Sequence, residues 1–317
     1  MYDIVGIDTP CIDLNVNMSQ FPKKGHGEGI KNLSWQGGGK VATGVIASAR
    51  LGARCAIMGR VGDDINGQFI VSDFNRHGVD TSALKIIRDK TTNMSVVLSE
   101  SLTSTRTILH RGGTASGYDF NDFDIDLLTN TKYLFICSAN PVVQRAVDIA
   151  KDNAKIFIDA DGYSKEIMEM LNKINIFIGS EKFYHALFDN DQYEKNCNSI
   201  IEKGPEIAIF TFGENGCAGV SNEGYFYLPA FNVQAVDTVG AGDVFHGAFI
   251  AELAKGYSVK ESARRASAVA AIKCTRIGGR AGIPDIKTLD EFLSSGNIDY
   301  SEIDKRVEFY SRGIERE

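Results

Sequence analysis

The stretch Tyr133-Leu-Phe-Ile-Cys137 in the middle of the chain is a short, continuous apolar run, and a helical pattern over residues 142–153 follows it. The same alternation then repeats, with strand-like runs at 156–158, 174–178 and 207–210 and helical patterns at 165–173, 181–188 and 192–203. Continuous apolar strands separated by helices are typical of βαβ units, in which helices cover both faces of a parallel sheet. The predicted fold class is therefore α/β with a mainly parallel central sheet.

The two ends of the chain carry different patterns. Residues 13–36 and 91–115 alternate or are broken by glycine, which predicts antiparallel hairpins in a small β-sheet set off from the main one, a lid. Helices are predicted between them at 40–51 and 65–77, and again at 241–255 and 259–276. We expect a single domain over residues 1–300, because no Pro/Ser-rich linker divides the chain. Residues 301–317 are charged and weakly patterned, which predicts a loosely packed C-terminal tail.

Composition excludes several classes of protein. The 317 residues include 34 Lys and Arg against 41 Asp and Glu, a net charge of −7 without any basic block, which argues against nucleic-acid binding. The six cysteines show no CxxC spacing, so neither a zinc knuckle nor a disulfide scaffold is predicted. No apolar run approaches the length of a membrane span, and no signal peptide is recognised. We expect a cytoplasmic protein.

The sharpest motif is Asp237-Thr-Val-Gly-Ala-Gly-Asp243, a glycine-rich turn directly before an apolar helix. The backbone N–H groups of Gly240, Ala241 and Gly242 are predicted to point outward, unpaired, where they would bind an anion. Asp243 would then stand beside a bound phosphate and could take the proton of an attacking hydroxyl. The alternative is an aspartate that only caps the helix.

A second motif begins with paired glycines. Gly38 and Gly39, followed by Lys40 and Thr43, let the backbone approach a ligand closely at the start of a helix, as a sugar site needs. A Walker A phosphate loop is excluded, because Val41 stands in place of its final Ser/Thr. The alternative for the glycines is a flexible turn.

Two further candidates lie in the lid segments. Asp13 follows the first strand, and a carboxylate that accepts from vicinal hydroxyls is a common device of sugar recognition. Asp8, Asp13 and Asn15 could each instead be a turn residue. His110 and Arg111 follow the 105–109 strand, where a lid would meet substrate or face water.

The two motifs, in this order and separation, resemble the C-terminal and N-terminal signatures of the PfkB, or ribokinase-like, carbohydrate kinase family. The resemblance covers residues 3–290 and implies a ribokinase-like three-layer sandwich with a β-sheet lid over the sugar. It implies ATP-dependent transfer of a phosphoryl group to a primary hydroxyl, with Asp243 as base. Gly240, Ala241 and Gly242 would form the anion hole.

The resemblance also implies the remaining ligands. The predicted substrate-binding residues are Asp13, Gly38, Gly39, Lys40, Thr43 and Arg111. The predicted nucleotide-binding residues are Thr211, Gly213, Gly216 and Ser267. ATP and Mg²⁺ are implied, a K⁺ ion beside the Asp237–Thr238 backbone is left open, and a homodimer through the lid is expected.

Several positions depart from the family pattern. Ser180 and Phe183 replace the Asn and the final Glu of the NxxE motif, so that only Glu181 remains as a predicted metal ligand. Thr43 and Ser267 stand where many relatives have Asn. These departures concern the metal shell and the two substrate pockets, and they leave Asp243 in place.

Substrate identity stays open among three alternatives. Residues 37–43 and 274–285 are most similar to the sulfofructose kinase-like branch, for which Lys24 and Arg111 are the candidate sulfonate-binding cations. A small ketose or furanose is the predicted acceptor. A nucleoside kinase of the same fold is the alternative, and a non-catalytic sugar or nucleotide sensor is the third hypothesis.

Overall fold

The computed structural model describes residues 1–102 and 105–314, which form thirteen strands and eleven α-helices. The strands are β1 Tyr2–Asp8, β2 Cys11–Met18, β3 Ile30–Gly38, β4 Cys55–Gly62, β5 Leu84–Ile87, β6 Asn93–Glu100, β7 Thr105–Arg111, β8 Thr131–Ile136, β9 Lys155–Ala160, β10 Ile176–Ser180, β11 Ile207–Thr211, β12 Cys217–Ser221 and β13 Gly224–Leu228. The helices are α1 Lys40–Arg50, α2 Ile65–Arg76, α3 Ile125–Thr129, α4 Pro141–Ala150, α5 Lys165–Met170, α6 Glu181–Leu187, α7 Tyr193–Ile201, α8 Ala241–Ala254, α9 Val259–Cys274, α10 Ile286–Ser295 and α11 Ser301–Ser311.

Nine strands form the central sheet, in the order β13-β12-β11-β10-β9-β8-β1-β4-β5. All pairs from β11 to β5 are parallel, and β12 and β13 extend the sheet as antiparallel edge strands. Strand β1 lies between β8 and β4 inside the sheet, and its Ile4, Val5 and Ile7 are buried, as a strand covered on both faces requires. The predicted mainly parallel α/β architecture is confirmed.

Helices cover both faces of this sheet and create two hydrophobic cores. Residues of α1, α8 and α9 pack on one face, with Val45, Phe249 and Val269 fully buried there. Residues of α4, α6 and α7 pack on the other face, where Val147 and Phe183 are buried. The three layers follow from the predicted alternation of apolar strands and helices.

A separate four-stranded sheet, in the order β3-β2-β6-β7, forms the lid. Its two hairpins, β2–β3 and β6–β7, are antiparallel as predicted. They join through a parallel β2–β6 pair, which the pattern did not predict because alternation within a strand carries no information on its partner's direction. Residues 103 and 104 of the predicted lid segment lie outside the described residues.

Helices α1 and α8 cross at van der Waals distance through two glycines. A Cβ atom added to Gly247 would lie 1.9 Å from the Gly44 carbonyl oxygen, so no larger residue fits there. The buried Ser48 hydroxyl lies 2.7 Å from the Gly247 carbonyl, to which it donates, and 3.0 Å from that of Gly44. This contact holds the N-terminal ends of both helices side by side. Gly44 also lies close to α8, because a Cβ atom added to it would lie 3.0 Å from the Asp243 carbonyl oxygen.

The loose packing expected for the C-terminal tail is wrong for residues 301–311, which form helix α11. Its Ile303, Arg306 and Tyr310 are buried at helical spacing, and the Tyr310 hydroxyl donates to Asp73 at 2.5 Å. The charged residues between these positions obscured the buried stripe in the sequence. Residues 315–317 of the predicted tail lie outside the described residues.

None of the helices within residues 1–102 and 105–314 is long and apolar enough to cross a membrane. The longest, α9, has 16 residues and spans about 24 Å, against a hydrocarbon core of about 30 Å. The cytoplasmic location and the homodimer stay predictions.

The helix crossing predicts that Gly247→Ala destabilises the protein. The added methyl group has no space against the Gly44 carbonyl, and overpacking of a core costs about 1–3 kcal/mol or more. Thermal unfolding of Gly247→Ala is compared with that of Gly27→Ala, whose added Cβ would meet nothing within 4 Å. Equal melting temperatures for the two variants would contradict the tight crossing.

Candidate active site

The candidate site lies at the carboxyl edge of the central sheet, where parallel α/β sheets place their ligands. Strand β1 ends there at Asp8, and β9 ends there in Asp159 and Ala160, followed by Asp161. The N-terminal ends of α1 and α8 point to the same edge. The fold thus brings segments that are far apart in sequence to one place.

The first turn of α8 forms a candidate anion site. Gly240 precedes the helix in the left-handed conformation, with φ 72° and ψ 6°, which a residue with a side chain rarely adopts. The Gly242 and Asp243 N–H groups have no hydrogen-bond acceptor within the described chain and lie at the positive end of the helix dipole. The expectation for Ala241 is corrected, because its N–H donates to the Thr238 carbonyl at 3.2 Å in the preceding turn.

Asp243 lies in this first turn among other carboxylates. Burial raises the pKa of Asp243 well above its usual range, and the charges of Asp159, Asp8 and Asp161 raise it further, while Lys40 opposes them. Lys40, at the start of α1, donates to Asp161 at 2.8 Å. Burial lowers the pKa of Lys40, but Asp159 and Asp161 outweigh burial, so that its pKa is raised overall. The Lys40 ammonium therefore stays charged beside the acids.

Asp8 has a different part in this cluster. Its carboxylate accepts from the Ala42 and Thr9 N–H groups, both at 2.8 Å, and so caps the N-terminal end of α1. Burial raises the pKa of Asp8. Asp8 therefore fixes the backbone that carries Lys40, and this role is structural.

Asp159 is a site residue that the sequence analysis missed. It is 1% exposed, and its Oδ2 has no hydrogen-bond partner within the described residues, while Oδ1 lies 3.6 Å from Nε2 of the buried His246. A buried carboxylate oxygen without a partner is costly unless a cation or ordered water meets it. The Asp-x-Asp spacing directly after an apolar strand could have signalled it.

The predicted metal ligand, Glu181, is not brought to these acids. It begins α6 on the surface, with its side chain about half exposed, and its partner is His185 at 3.8 Å. The described residues contain no group of three or more His, Cys, Asp and Glu that could hold a metal ion by themselves. Asp159 therefore fits a cation better than Glu181 does, and any such cation would need further ligands from a bound phosphate or water.

Four of the predicted sugar-binding residues, Asp13, Gly38, Gly39 and Lys40, meet where the lid sheet leads into α1. The Asp13 carboxylate packs on Gly38, where an added Cβ would lie 2.2 Å from Oδ2. Gly39 then leads directly into Lys40 and the first turn of α1. Burial raises the pKa of Asp13. Asp13, the glycine pair and Lys40 thus form one continuous surface that leads toward Asp243.

Arg280 supports this surface from below, and sequence reasoning assigned it no role. The fully buried guanidinium donates to the Gly38 carbonyl at 2.9 Å and to Asp73 at 2.7 Å. It also lies 3.4 Å from the hydroxyl of Thr43, which is 2% exposed and faces Arg280. Because Asp73 also accepts from Tyr310, the C-terminal helix braces the sugar segment.

The lid presents one row of polar residues toward the site. Strand register aligns Asp13 with Gln36 and Ser95, and Ser95 with His110, whose Nδ1 lies 3.4 Å from the Ser95 hydroxyl. Arg111 pairs with Met94 instead, so it lies on the opposite face and is not brought to Asp13. The predicted contact of Arg111 with substrate is therefore corrected.

Arg106 reaches the site from the same lid strand. It shares a face with His110, and its Nη1 donates to the Thr238 hydroxyl at 3.3 Å, directly before the anion site. The pattern of the exposed strand gave no signal that distinguished this arginine from Arg111. The lid therefore contributes His110 near Asp13 and Arg106 near the anion site.

The predicted nucleotide-binding residues lie around the connection between β11 and β12. Thr211 ends β11, a 3₁₀ turn begins at Gly213, and Gly216 leads into β12. Ser267 of α9 contacts Cys217 at the start of β12. The structure brings these four residues to one loop region at the carboxyl edge, without assigning a ligand to them.

Comparison with known proteins agrees with this geometry. The family model of the pfkB family carbohydrate kinases matches residues 1–286. A ribokinase of Haemophilus influenzae is 27% identical over 288 residues, which cover 88% of this chain and 94% of the relative. A 5-dehydro-2-deoxygluconokinase of Clostridium perfringens is 24% identical over 328 residues, covering 95% and 96%. The solved Arabidopsis thaliana ribokinase, in complex with ribose and ATP, has the same fold, with a TM-score of 0.79, 22% identity and coverage of 92% and 99%. The chain belongs to the pfkB family of carbohydrate kinases.

Proposed function

We propose that this protein is an ATP-dependent kinase that phosphorylates a primary hydroxyl of a small ketose or furanose. One observation carries the proposal. The first turn of α8 places a carboxylate, Asp243, beside N–H groups that have no acceptor in the described chain. A base next to an anion site is the arrangement that phosphoryl transfer to a hydroxyl requires.

The acceptor hydroxyl would lie between Asp243 and the γ-phosphate of ATP. Asp243 would take its proton as the oxygen attacks in line, and the raised pKa makes this carboxylate a stronger base than an exposed aspartate. The Gly242 and Asp243 N–H groups would stabilise the charge that develops on the transferred phosphoryl group. Lys40 adds positive charge on the other side of the carboxylates.

Mg²⁺ fits the residues present in one respect. Asp159 offers a buried carboxylate oxygen without a partner in the described chain, which suits a hard cation or its bound water. Asp159 would hold the ion together with the phosphates of ATP, and the bound ion would neutralise phosphate charge. Glu181 instead pairs with His185 at the surface, with its side chain about half exposed.

The surface that Asp13 and the glycine pair form supports a small sugar as the acceptor. Asp13 provides a carboxylate for vicinal hydroxyls, and Gly38 and Gly39 let a small sugar lie close to the backbone. Arg106 and His110 on the lid would cover the bound sugar and exclude water, which would otherwise accept the phosphoryl group. The nucleotide would lie along Thr211, Gly213, Gly216 and Ser267.

The proposal predicts sugar-dependent ADP release that requires Asp243. ADP is measured with ATP and Mg²⁺ against a panel of ketoses, pentoses, sulfosugars, phosphosugars and nucleosides. Turnover is expected with one class of sugar, and Asp243→Asn is expected to lower kcat about 10²–10⁴-fold, with ATP binding and the melting temperature retained. Unchanged kcat in Asp243→Asn, or turnover of nucleosides alone, would contradict the proposal.

The charge of Lys40 predicts a shift in the pH profile. Turnover needs ionised Asp243 and falls as the pH drops through its pKa, which the positive charge of Lys40 lowers. In Lys40→Met that pKa rises, so the acid limb of kcat/KM moves to higher pH. Lys165→Met removes an exposed ammonium that is paired with Glu169, and its profile is expected to match the wild type. An acid limb that stays in place or moves to lower pH in Lys40→Met would contradict the assignment of Asp243 as the base.

A further inference from the structure

The ammonium group of Lys273 lies inside the loop that leads to the anion site. Lys273 is in the last turn of α9 and is 0% exposed. Its Nζ donates to the backbone carbonyl of Asp237 at 2.9 Å and to that of Val239. A buried ammonium without acceptors would be costly, and these carbonyls provide the partners that it needs.

The same loop is fixed on its other sides. The Asp237 carboxylate accepts from the Val239 N–H and from the Gly278 N–H, both at 2.9 Å. The Val236 and Asp237 N–H groups donate to the Cys274 carbonyl, at 2.7 and 3.1 Å. The loop therefore turns two carbonyls inward onto Lys273 and then enters Gly240 and the first turn of α8.

The family resemblance leaves open a K⁺ ion beside the Asp237–Thr238 backbone. The residues present do not fit that ion. Backbone carbonyls bind K⁺ by replacing its hydration shell, and they bind an ammonium through its N–H donors in much the same way. In this structure the carbonyls of Asp237 and Val239 already accept from Lys273. A cation that competed for them would have to displace a covalently attached charge.

We propose that Lys273 is a built-in monovalent cation of this kinase and makes its activity independent of K⁺. Lys273 is a positioning residue: it holds the 237–239 carbonyls so that the N–H groups of Gly242 and Asp243 stay aimed at the transferred phosphoryl group. Its charge also adds positive potential behind the anion site. This inference rests on the proposed kinase function.

The first test uses the wild-type protein. Turnover is measured with ATP, Mg²⁺ and the sugar found in the panel, in tetramethylammonium chloride and in KCl at equal ionic strength. A change of less than about threefold is expected, because one anion-site donor alone is worth about 10²–10³-fold and the cation is already in place. A larger activation by K⁺ would overturn the proposal.

Substitution of Lys273 is expected to create the cation requirement. In Lys273→Ala, kcat falls about tenfold or more and is partly restored by K⁺ or NH₄⁺, which fit the vacated space, but not by tetramethylammonium. Lys273→Met fills that space without a charge, so it is expected to lose activity without rescue. Lys260→Ala removes an exposed lysine from the same helix and should behave as wild type. Loss of activity in Lys273→Ala that no cation restores would indicate a merely structural lysine and would overturn the proposal.

Thermal unfolding separates this inference from the proposed function. KCl is expected to raise the melting temperature of Lys273→Ala above its value in tetramethylammonium chloride of equal ionic strength, and to leave that of the wild type unchanged. If no sugar is turned over, the kinase proposal fails while this measurement still reports on the cation site. Equal responses of Lys273→Ala and wild type to K⁺ would overturn the role of Lys273.

Discussion

The crossing of α1 and α8 is the constraint on which the site depends. Gly44 and Gly247 let the two helices approach until the backbone of one contacts that of the other, and the Ser48 hydroxyl satisfies a carbonyl at the contact. Because both helices begin at the same edge of the sheet, their N-terminal ends come together with Lys40 on one and Asp243 on the other. The anion site and its counter-charges are thus a product of helix packing, and a wider crossing would separate them.

Much of the fold could be predicted, because the apolar strand runs and the helices between them are strong local signals. The parallel β2–β6 pair in the lid could not, since the direction of a strand's partner is decided by the connections between strands. Helix α11 was missed because its buried Tyr310 and Arg306 lie among charged residues, and their partners are distant in sequence. A stripe of this kind is visible only when the surface that it covers is known.

The candidate site was predictable where one short segment carries the chemistry, as in the turn that precedes Asp243. It was not predictable where the partners come from several segments. Arg280 supports Gly38, and Lys273 holds the 237–239 loop, through contacts with residues more than thirty positions away. Arg111 was predicted to meet substrate, but Arg106 on the opposite face of β7 reaches the site, because the sequence does not show which face of an exposed strand meets it.

The central claim is that Asp243 and the first turn of α8 act on the same phosphoryl transfer. A crystal structure with a non-hydrolysable ATP analogue and the preferred sugar tests it most directly. The account predicts the acceptor oxygen at about 2.6–3.2 Å from the Asp243 carboxylate, with the γ-phosphate on the Gly242 and Asp243 N–H groups. A complex in which the sugar hydroxyl or the γ-phosphate lies away from this turn would contradict the account.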